Sequence, residues 1–272
     1  MATVLRSARD AIAGAVAALD AAGCDTPRLD AELLVAAALG VARERLYLDG
    51  GSLALGPDED ARLAQLVDRR RAREPVAYIL GRRGFRRLEL TVDRRVLVPR
   101  PETELLVEVA LELPAGAWVH DVGTGSGAVA LAIADERPDL RVTASDASEA
   151  AVEVARANAE RLGLPVALEA APGLPATAAG ADLVVANLPY VAADEWAGLA
   201  PEITEYEPRA ALVSGPDGLD AIRELVAAAP PGTRLALEHA PAQAAAVRSL
   251  LVEPSTLHDL AGRERATVGT VP

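Results

Sequence analysis

The chain has 272 residues, 51% of them hydrophobic, with a formal net charge of −13 and a single cysteine, Cys24. That length can bury one large core or two smaller ones, a lone thiol cannot form an internal disulfide, and no apolar run spans a bilayer. The acidic balance disfavours a phosphate backbone as partner, so no direct nucleic-acid contact is expected; the apolar runs and the lone cysteine point to a soluble, cytoplasmic protein with no membrane, and a monomer is the default for a ligand site completed within one chain.

Apolar residues at helical spacing predict helices over 4–22, 29–39 ending at Gly40, 42–48 and 58–73. This small helical domain, 1–74, has no cluster of His, Cys or carboxylates at catalytic spacing, and no metal is expected. Every basic residue is arginine, and Arg69, Arg70, Arg71, Arg73, Arg82, Arg83, Arg86, Arg87, Arg94, Arg95 and Arg100 crowd one segment. A solvated helix end and hairpin face is the favoured reading, with a docking patch as the alternative.

Over 75–104 the pattern changes to short extended pieces, 87–92 and 96–98, around Asp93-Arg94-Arg95, a hairpin linking two domains. Pro99 and Pro101 hold Arg100 in extended backbone before a helix that starts near Glu102.

The remainder, 105–272, alternates strand and helix. Strands are expected at 117–122, 140–145, 165–169, 182–187, 210–213, 233–238 and 264–270, with helices at 127–136, 148–162, 217–229 and 241–252. Such alternation specifies an α/β fold with a mostly parallel sheet covered on both faces, binding ligands at the carboxyl ends of its strands.

The first of these strands runs into Gly123-Thr124-Gly125-Ser126-Gly127. Its Gly-x-Gly-x-Gly spacing differs from the Gly-x-Gly-x-x-Gly of dinucleotide folds and suggests another adenosine-bearing ligand, met by backbone N–H groups and a small-residue surface. Asp146 ends the next strand, where it can accept from two ribose hydroxyls or cap the helix that follows beside Ser148 and Glu149. The ribose role is favoured because the glycine loop lies at the right distance.

Asn187-Leu188-Pro189-Tyr190 closes the strand at 182–187. Methylating a planar nitrogen conjugated to a carbonyl or an aromatic ring is hard, because its lone pair is delocalised and the nitrogen gains positive charge in the transition state. The Asn187 side-chain oxygen and the Leu188 carbonyl can accept from its N–H groups where that charge develops, and the Tyr190 ring can stack on the planar group. An ordinary strand-to-loop turn is the plainer alternative.

With these residues in place the sequence resembles the protein-(glutamine-N5) methyltransferases that modify peptide chain release factors. The resemblance covers nearly the whole chain: Pro27-Arg28-Leu29-Asp30-Ala31-Glu32-Leu33-Leu34, Glu74-Pro75-Val76-Ala77-Tyr78-Ile79-Leu80-Gly81, Val98-Pro99-Arg100-Pro101-Glu102-Thr103-Glu104, Tyr206-Glu207-Pro208-Arg209, Gly215-Pro216-Asp217-Gly218-Leu219 and Asp259-Leu260-Ala261-Gly262-Arg263. It implies a Rossmann-like methyltransferase sheet, an N-terminal substrate-recognition domain joined by the hairpin, and transfer of a methyl group from S-adenosylmethionine to a glutamine amide of a release factor. It also implies that Gly123, Thr124, Gly125, Ser126, Gly127, Asp146 and Asn187 hold the cofactor, and that Asn187, Leu188, Pro189, Tyr190, Phe85 and Arg100 hold the glutamine. Leu188 replaces the proline of the family tetrapeptide, 170–173 lacks the usual acidic residue, and no glycine follows Glu238-His239. Two other functions fit parts of the pattern: methylation of an exocyclic adenine nitrogen in RNA, and a non-catalytic relative that binds a protein partner.

Overall fold

The computed structural model describes residues 5–49 and 52–272, so Val4, where the first predicted helix begins, lies outside the described residues. The chain divides into two compact units, one ending at Gly81 and the other running Arg82–Pro272.

The first unit pairs two short strands, β1 (Arg6–Ser7) and β2 (Ala54–Leu55), beside helices α1 (Ala8–Ala21), α2 (Pro27–Leu39), α3 (Arg45–Leu48), α4 (Pro57–Arg71) and α5 (Val76–Leu80). Helix α1 starts at Ala8 because the Ser7 hydroxyl accepts from the Asp10 N–H (3.1 Å) and caps it. Proline occupies the first position of α2 and of α4, where a missing N–H costs nothing. The core of this unit holds Leu19, Leu34, Val35, Leu55 and Leu63, with Cys24 beside them. The Cys24 Sγ lies 3.7 Å from the Arg70 carbonyl oxygen.

Two expectations fail in this unit. Arg70 is not on a solvated face: it is buried, with its Nε donating to Asp30 Oδ2 at 2.7 Å, so that neither buried charge stands alone. The segment after Pro75, expected to begin the hairpin linker, is a short helix, since the Tyr78 and Ile79 amides fold back onto the Pro75 carbonyl.

The second unit opens with the hairpin β3 (Arg82–Phe85) and β4 (Leu88–Thr91), in which Phe85 pairs with Leu88. Its turn is at Arg86-Arg87 rather than at 93–95. Arg86 takes a left-handed backbone (φ 51°), and its guanidinium is gripped by Glu136 (2.7 Å) and Glu108. Residues 93–96 instead form a plain turn in which the Val96 amide donates to the Asp93 carbonyl (3.1 Å). A 3-10 turn, Pro101–Thr103, leads into α6 (Glu104–Leu111).

The sheet follows, built from β5 (Trp118–Val122), β6 (Arg141–Asp146), β7 (Ala167–Ala170), β8 (Leu183–Ala186), β9 (Arg234–Glu238), β10 (Val252–His258) and β11 (Glu264–Thr270). Its helices are α7 (Ala128–Glu136), α8 (Glu149–Leu162), α9 (Pro201–Thr204), α10 (Asp220–Ala228) and α11 (Ala244–Arg248). The order is β10-β11-β9-β8-β5-β6-β7, parallel from β9 through β7 and antiparallel at β11 and β10. This is a Rossmann-like sheet. The strand order reverses at β5, which opens a crevice at the carboxyl ends of β5 and β8.

Two elements of the sheet depart from expectation. At 210–213 there is a 3-10 turn, Arg209–Ala211, and only Val213 bridges Val191, because the Ala211 and Leu212 amides fold back onto the Pro208 and Arg209 carbonyls (2.9 and 3.0 Å). The helix expected over 241–252 stops at Arg248, and the edge strand β10 follows. Pro254 is tolerated there because it falls where the register with β11 slips between Val252 and Ser255.

Buried Asn158 on α8 ties the hairpin to the glycine loop. Its Oδ1 accepts from the Thr91 N–H (2.8 Å), and its Nδ2 donates to the Thr91 carbonyl (2.9 Å) and the Ser126 carbonyl (3.0 Å). Among the described residues no helix is long and apolar enough to cross a membrane.

Candidate active site

A cavity of about 270 Å³ occupies the crevice at the carboxyl ends of β5, β6 and β8. Its wall includes Gly123, Thr124, Gly125, Ser126, Asp146, Asn187, Leu188, Pro189 and Arg100. Three sequence-singled residues lie elsewhere: Gly127 caps α7 behind the wall, Tyr190 turns its hydroxyl to Glu238 (3.3 Å), and Phe85 is buried in the hairpin.

The glycine loop is fastened from within. The Gly123 and Thr124 amides both donate to the Ser145 carbonyl (2.9 and 3.0 Å), the Gly125 amide to Asp146 Oδ2 (2.9 Å), and the Gly127 amide to the Thr124 carbonyl (2.8 Å). These amides are spent on the fold, so the loop offers a ligand chiefly a surface without side chains. Gly123 has a left-handed backbone (φ 75°), and a Cβ there would approach Leu188 Cδ2 to 3.1 Å. A side chain at this position is therefore strained twice over.

Asp146 does not cap α8; Ser148 does, accepting from the Ala151 N–H. The Asp146 carboxylate accepts from Gly125 and, through Oδ1, from the Ser148 N–H (2.8 Å). Each oxygen keeps a further lone pair, enough for a vicinal diol on the cavity side. Near Ala171 and Gly173 the wall carries no side-chain acceptor.

Asp121, at the end of β5, also reaches this wall, and the sequence reading passed over it as a strand residue. Its Oδ2 accepts from the Thr124 hydroxyl (2.7 Å) and the Ala130 N–H (3.3 Å), and burial pushes its carboxyl up to about 7. An acid two residues before the first glycine was the available signal.

Asn187 leaves β8 with its Nδ2 donating to the Thr103 hydroxyl (2.9 Å). With the amide nitrogen so engaged, Oδ1 is the end left to serve a ligand. The mouth of the cavity is braced by Glu207, a buried carboxylate that accepts from the Arg100 guanidinium and from the Val98 N–H (3.1 Å). Behind Tyr190, Gln243 Nε2 donates to the Tyr190 carbonyl (2.8 Å) and to the Asp217 carbonyl (3.0 Å). Gly218 packs so closely that a Cβ would stand 2.1 Å from the Tyr190 oxygen. His239 is structural: its Nδ1 faces the Ala240 carbonyl, so Nε2 accepts from the Thr267 hydroxyl (2.8 Å), and burial lowers its pKa.

The chemistry of this wall fits S-adenosylmethionine, with a glycine-rich floor for the nucleoside, a carboxylate for the ribose diol, and an amide oxygen beyond it. Comparison with known proteins agrees. Residues 10–81 match the family described as the PrmC N-terminal domain, and residues 101–207 match the methyltransferase small domain. A release factor glutamine methyltransferase of Cereibacter sphaeroides is 42% identical over 97% of this chain and 99% of its own. One of Mycolicibacterium smegmatis is 42% identical over 96% of this chain and 97% of its own. Among solved structures, the catalytic domain of hMettl16 in complex with the MAT2A 3′UTR hairpin 6 superposes with a TM-score of 0.54. At 12% identity, over 67% of this chain and 75% of that one, it speaks for the fold alone.

Proposed function

The chain belongs to the release factor glutamine methyltransferases, an S-adenosylmethionine-dependent enzyme family, and from that premise we propose that its substrate is the glutamine of the Gly-Gly-Gln loop of a peptide chain release factor. The observation that carries this reading is the Asn187 amide, held at the cavity wall by Thr103 with its oxygen left over. Bound S-adenosylmethionine supplies an electrophilic methyl group on a sulfonium sulfur. Asn187 Oδ1 and the Leu188 carbonyl accept from the two N–H groups of the glutamine amide. They would stabilise the positive charge that grows on its nitrogen as the N–C bond forms and the S–C bond to the departing neutral thioether breaks, and the proton would then pass to water. Asp146 accepts from the ribose, while Gly123, Thr124, Gly125 and Ser126 line the nucleoside.

Pro189 and Leu188 complete the wall around the amide, and Tyr190 acts from behind it, its hydroxyl on Glu238; Phe85 stays buried in the hairpin. Arg100, braced by Glu207, orients the mouth of the cavity. Residues 1–74 recognise the release factor, 75–104 link, and 105–272 transfer the methyl group. One chain supplies every residue of this cavity, which supports a monomer as the working unit. The net charge of −13 favours a protein over a nucleic acid as partner, and the compartment implied is the cytoplasm.

The test is incubation of the purified protein with methyl-labelled S-adenosylmethionine and unmodified recombinant release factors, with the label mapped by mass spectrometry. Label on the Gly-Gly-Gln glutamine is expected. Asn187→Ala should lower turnover by about a hundredfold or more. Cofactor binding without label on any factor would refute the substrate; label on RNA would replace it with the adenine chemistry.

A further inference from the structure

The stretch that follows the tetrapeptide, 191–213, is built of short helical turns and returns to the cavity, where Pro208, Ala210 and Ala211 join its wall. The segment 94–100 meets it there, because the buried Glu207 carboxylate accepts from the Val98 N–H and from Arg100. Arg94 and Arg209 stand at the outer edge of this junction. Arg94 precedes Arg95, and Arg209 lies between Pro208 and Ala210; those three neighbours line the cavity, while both arginines are exposed outside it. Each lies over an aromatic ring. The guanidinium carbon of Arg94 is 4.5 Å from the centre of the Tyr206 ring, and that of Arg209 is 5.5 Å from the centre of the Trp196 ring. With two tryptophans, four tyrosines and one phenylalanine in the chain, aromatic surface is scarce, and here two rings are left half-buried under two cations at the cavity mouth.

A guanidinium over a ring has its face covered and its rotamers restricted, while its N–H edge stays in solvent. Neither Arg94 nor Arg209 has a carboxylate partner among the described residues, and Glu207, the buried acid nearest to both in the chain, is spent inward on Arg100 and Val98. Two preorganised forks of donors therefore rim the cavity without acceptors of their own. Trp, Tyr and Arg are also the residues that dominate the energetics of protein recognition surfaces. We propose that Arg94 on Tyr206 and Arg209 on Trp196 form a docking rim that holds the polypeptide on either side of the target glutamine, their N–H edges donating to its main-chain carbonyls. The inference rests on the functional reading above, in which a Gly-Gly-Gln loop enters this cavity. Its glycines leave the carbonyls before the glutamine bare of side chains, so a planar fork can reach them. A phosphate backbone would suit the same forks, but a net charge of −13 opposes it.

The experiment titrates an unmodified release factor into the full chain, saturated with S-adenosylhomocysteine so that no methyl is transferred, by calorimetry at low and high salt. The proteins are wild type, Arg94→Ala, Arg209→Ala, Arg94→Lys, Arg209→Lys and Arg141→Ala. Arg141 is the matched control: it too lies over a tryptophan ring, 4.0 Å from the centre of Trp118, but it begins β6, at the end of the sheet opposite the cavity. Arg94→Ala and Arg209→Ala should each weaken release factor binding by about tenfold or more, with S-adenosylhomocysteine affinity as in wild type. Because the acceptors are neutral, the loss should persist at high salt, and lysine, which keeps the charge without the fork, should restore little of it. An equal loss in Arg141→Ala overturns the docking rim. A loss confined to low salt overturns it in favour of a charged partner, and wild-type binding of structured RNA that the variants lose identifies that partner as a phosphate backbone. Failure of the wild type to bind any release factor overturns the functional reading and this inference together, whereas a wild type and alanine variants that bind the factor equally well overturn the inference alone.

Discussion

Glu238 is a buried carboxyl with one oxygen unpartnered, and its cost to the fold can be read in one variant. Its folded-state pKa of about 7 stands above the ordinary 4.5, so its contribution to stability is present at low pH and lost as pH rises from 4.5 through about 7. Glu238→Gln removes the charge while keeping the shape. At pH 8 the variant should be more stable than wild type by about 2 kcal/mol, an advantage that shrinks toward pH 5; urea unfolding at the two pH values measures both. Gly218 presents the reverse case. With φ at 77° and a would-be Cβ 2.1 Å from the Tyr190 oxygen and 2.5 Å from Gln243 Nε2, Gly218→Ala must shift the backbone behind Asn187-Leu188-Pro189-Tyr190. It should lower both the thermal midpoint, by about 2 kcal/mol of stability or more, and kcat.

Between elements, the strongest coupling is made by Asn158. Asn158→Ala would leave the Thr91 N–H, the Thr91 carbonyl and the Ser126 carbonyl without their buried partner. A loss of about 3 kcal/mol is expected, together with faster hydrogen exchange in Leu88–Thr91, since the hairpin and the glycine loop share this one side chain. How far such elements can be read from sequence depends on their surroundings. Leu183-Val184-Val185-Ala186 announces β8 because both faces are covered and nothing polar interrupts it. Strand β10 does not, since Val252-Glu253-Pro254-Ser255 lies at an exposed edge where pairing tolerates polar residues and a proline. The site divides the same way. The glycine loop and the Asn187 tetrapeptide are local and legible, whereas the Thr103 contact to Asn187 joins positions 84 residues apart, and no short pattern can signal it. Asp121 was local and still passed over, because a buried acid looks like any strand residue until the hydroxyl of Thr124 is seen on it.

Each unit has a buried core of its own, around Leu34 and Leu63 in the first and around Ile222 and Leu235, among others, in the second. Each unit should then keep its own competence. Residues 82–272 expressed alone should bind S-adenosylmethionine in calorimetry, yet methylate a release factor with a KM raised at least about tenfold, because recognition is assigned to the helical unit; an unchanged KM would remove that assignment. The placement of three side chains makes the two units separately visible in the unaltered chain. The single cysteine, Cys24, is buried in the first unit, and both tryptophans, Trp118 and Trp196, belong to the second. A chromogenic thiol reagent therefore keeps time on the opening of one unit while indole emission follows the other. Denaturation of the native sequence, with no label engineered into it, yields two clocks, and their agreement or divergence measures whether the halves melt as one.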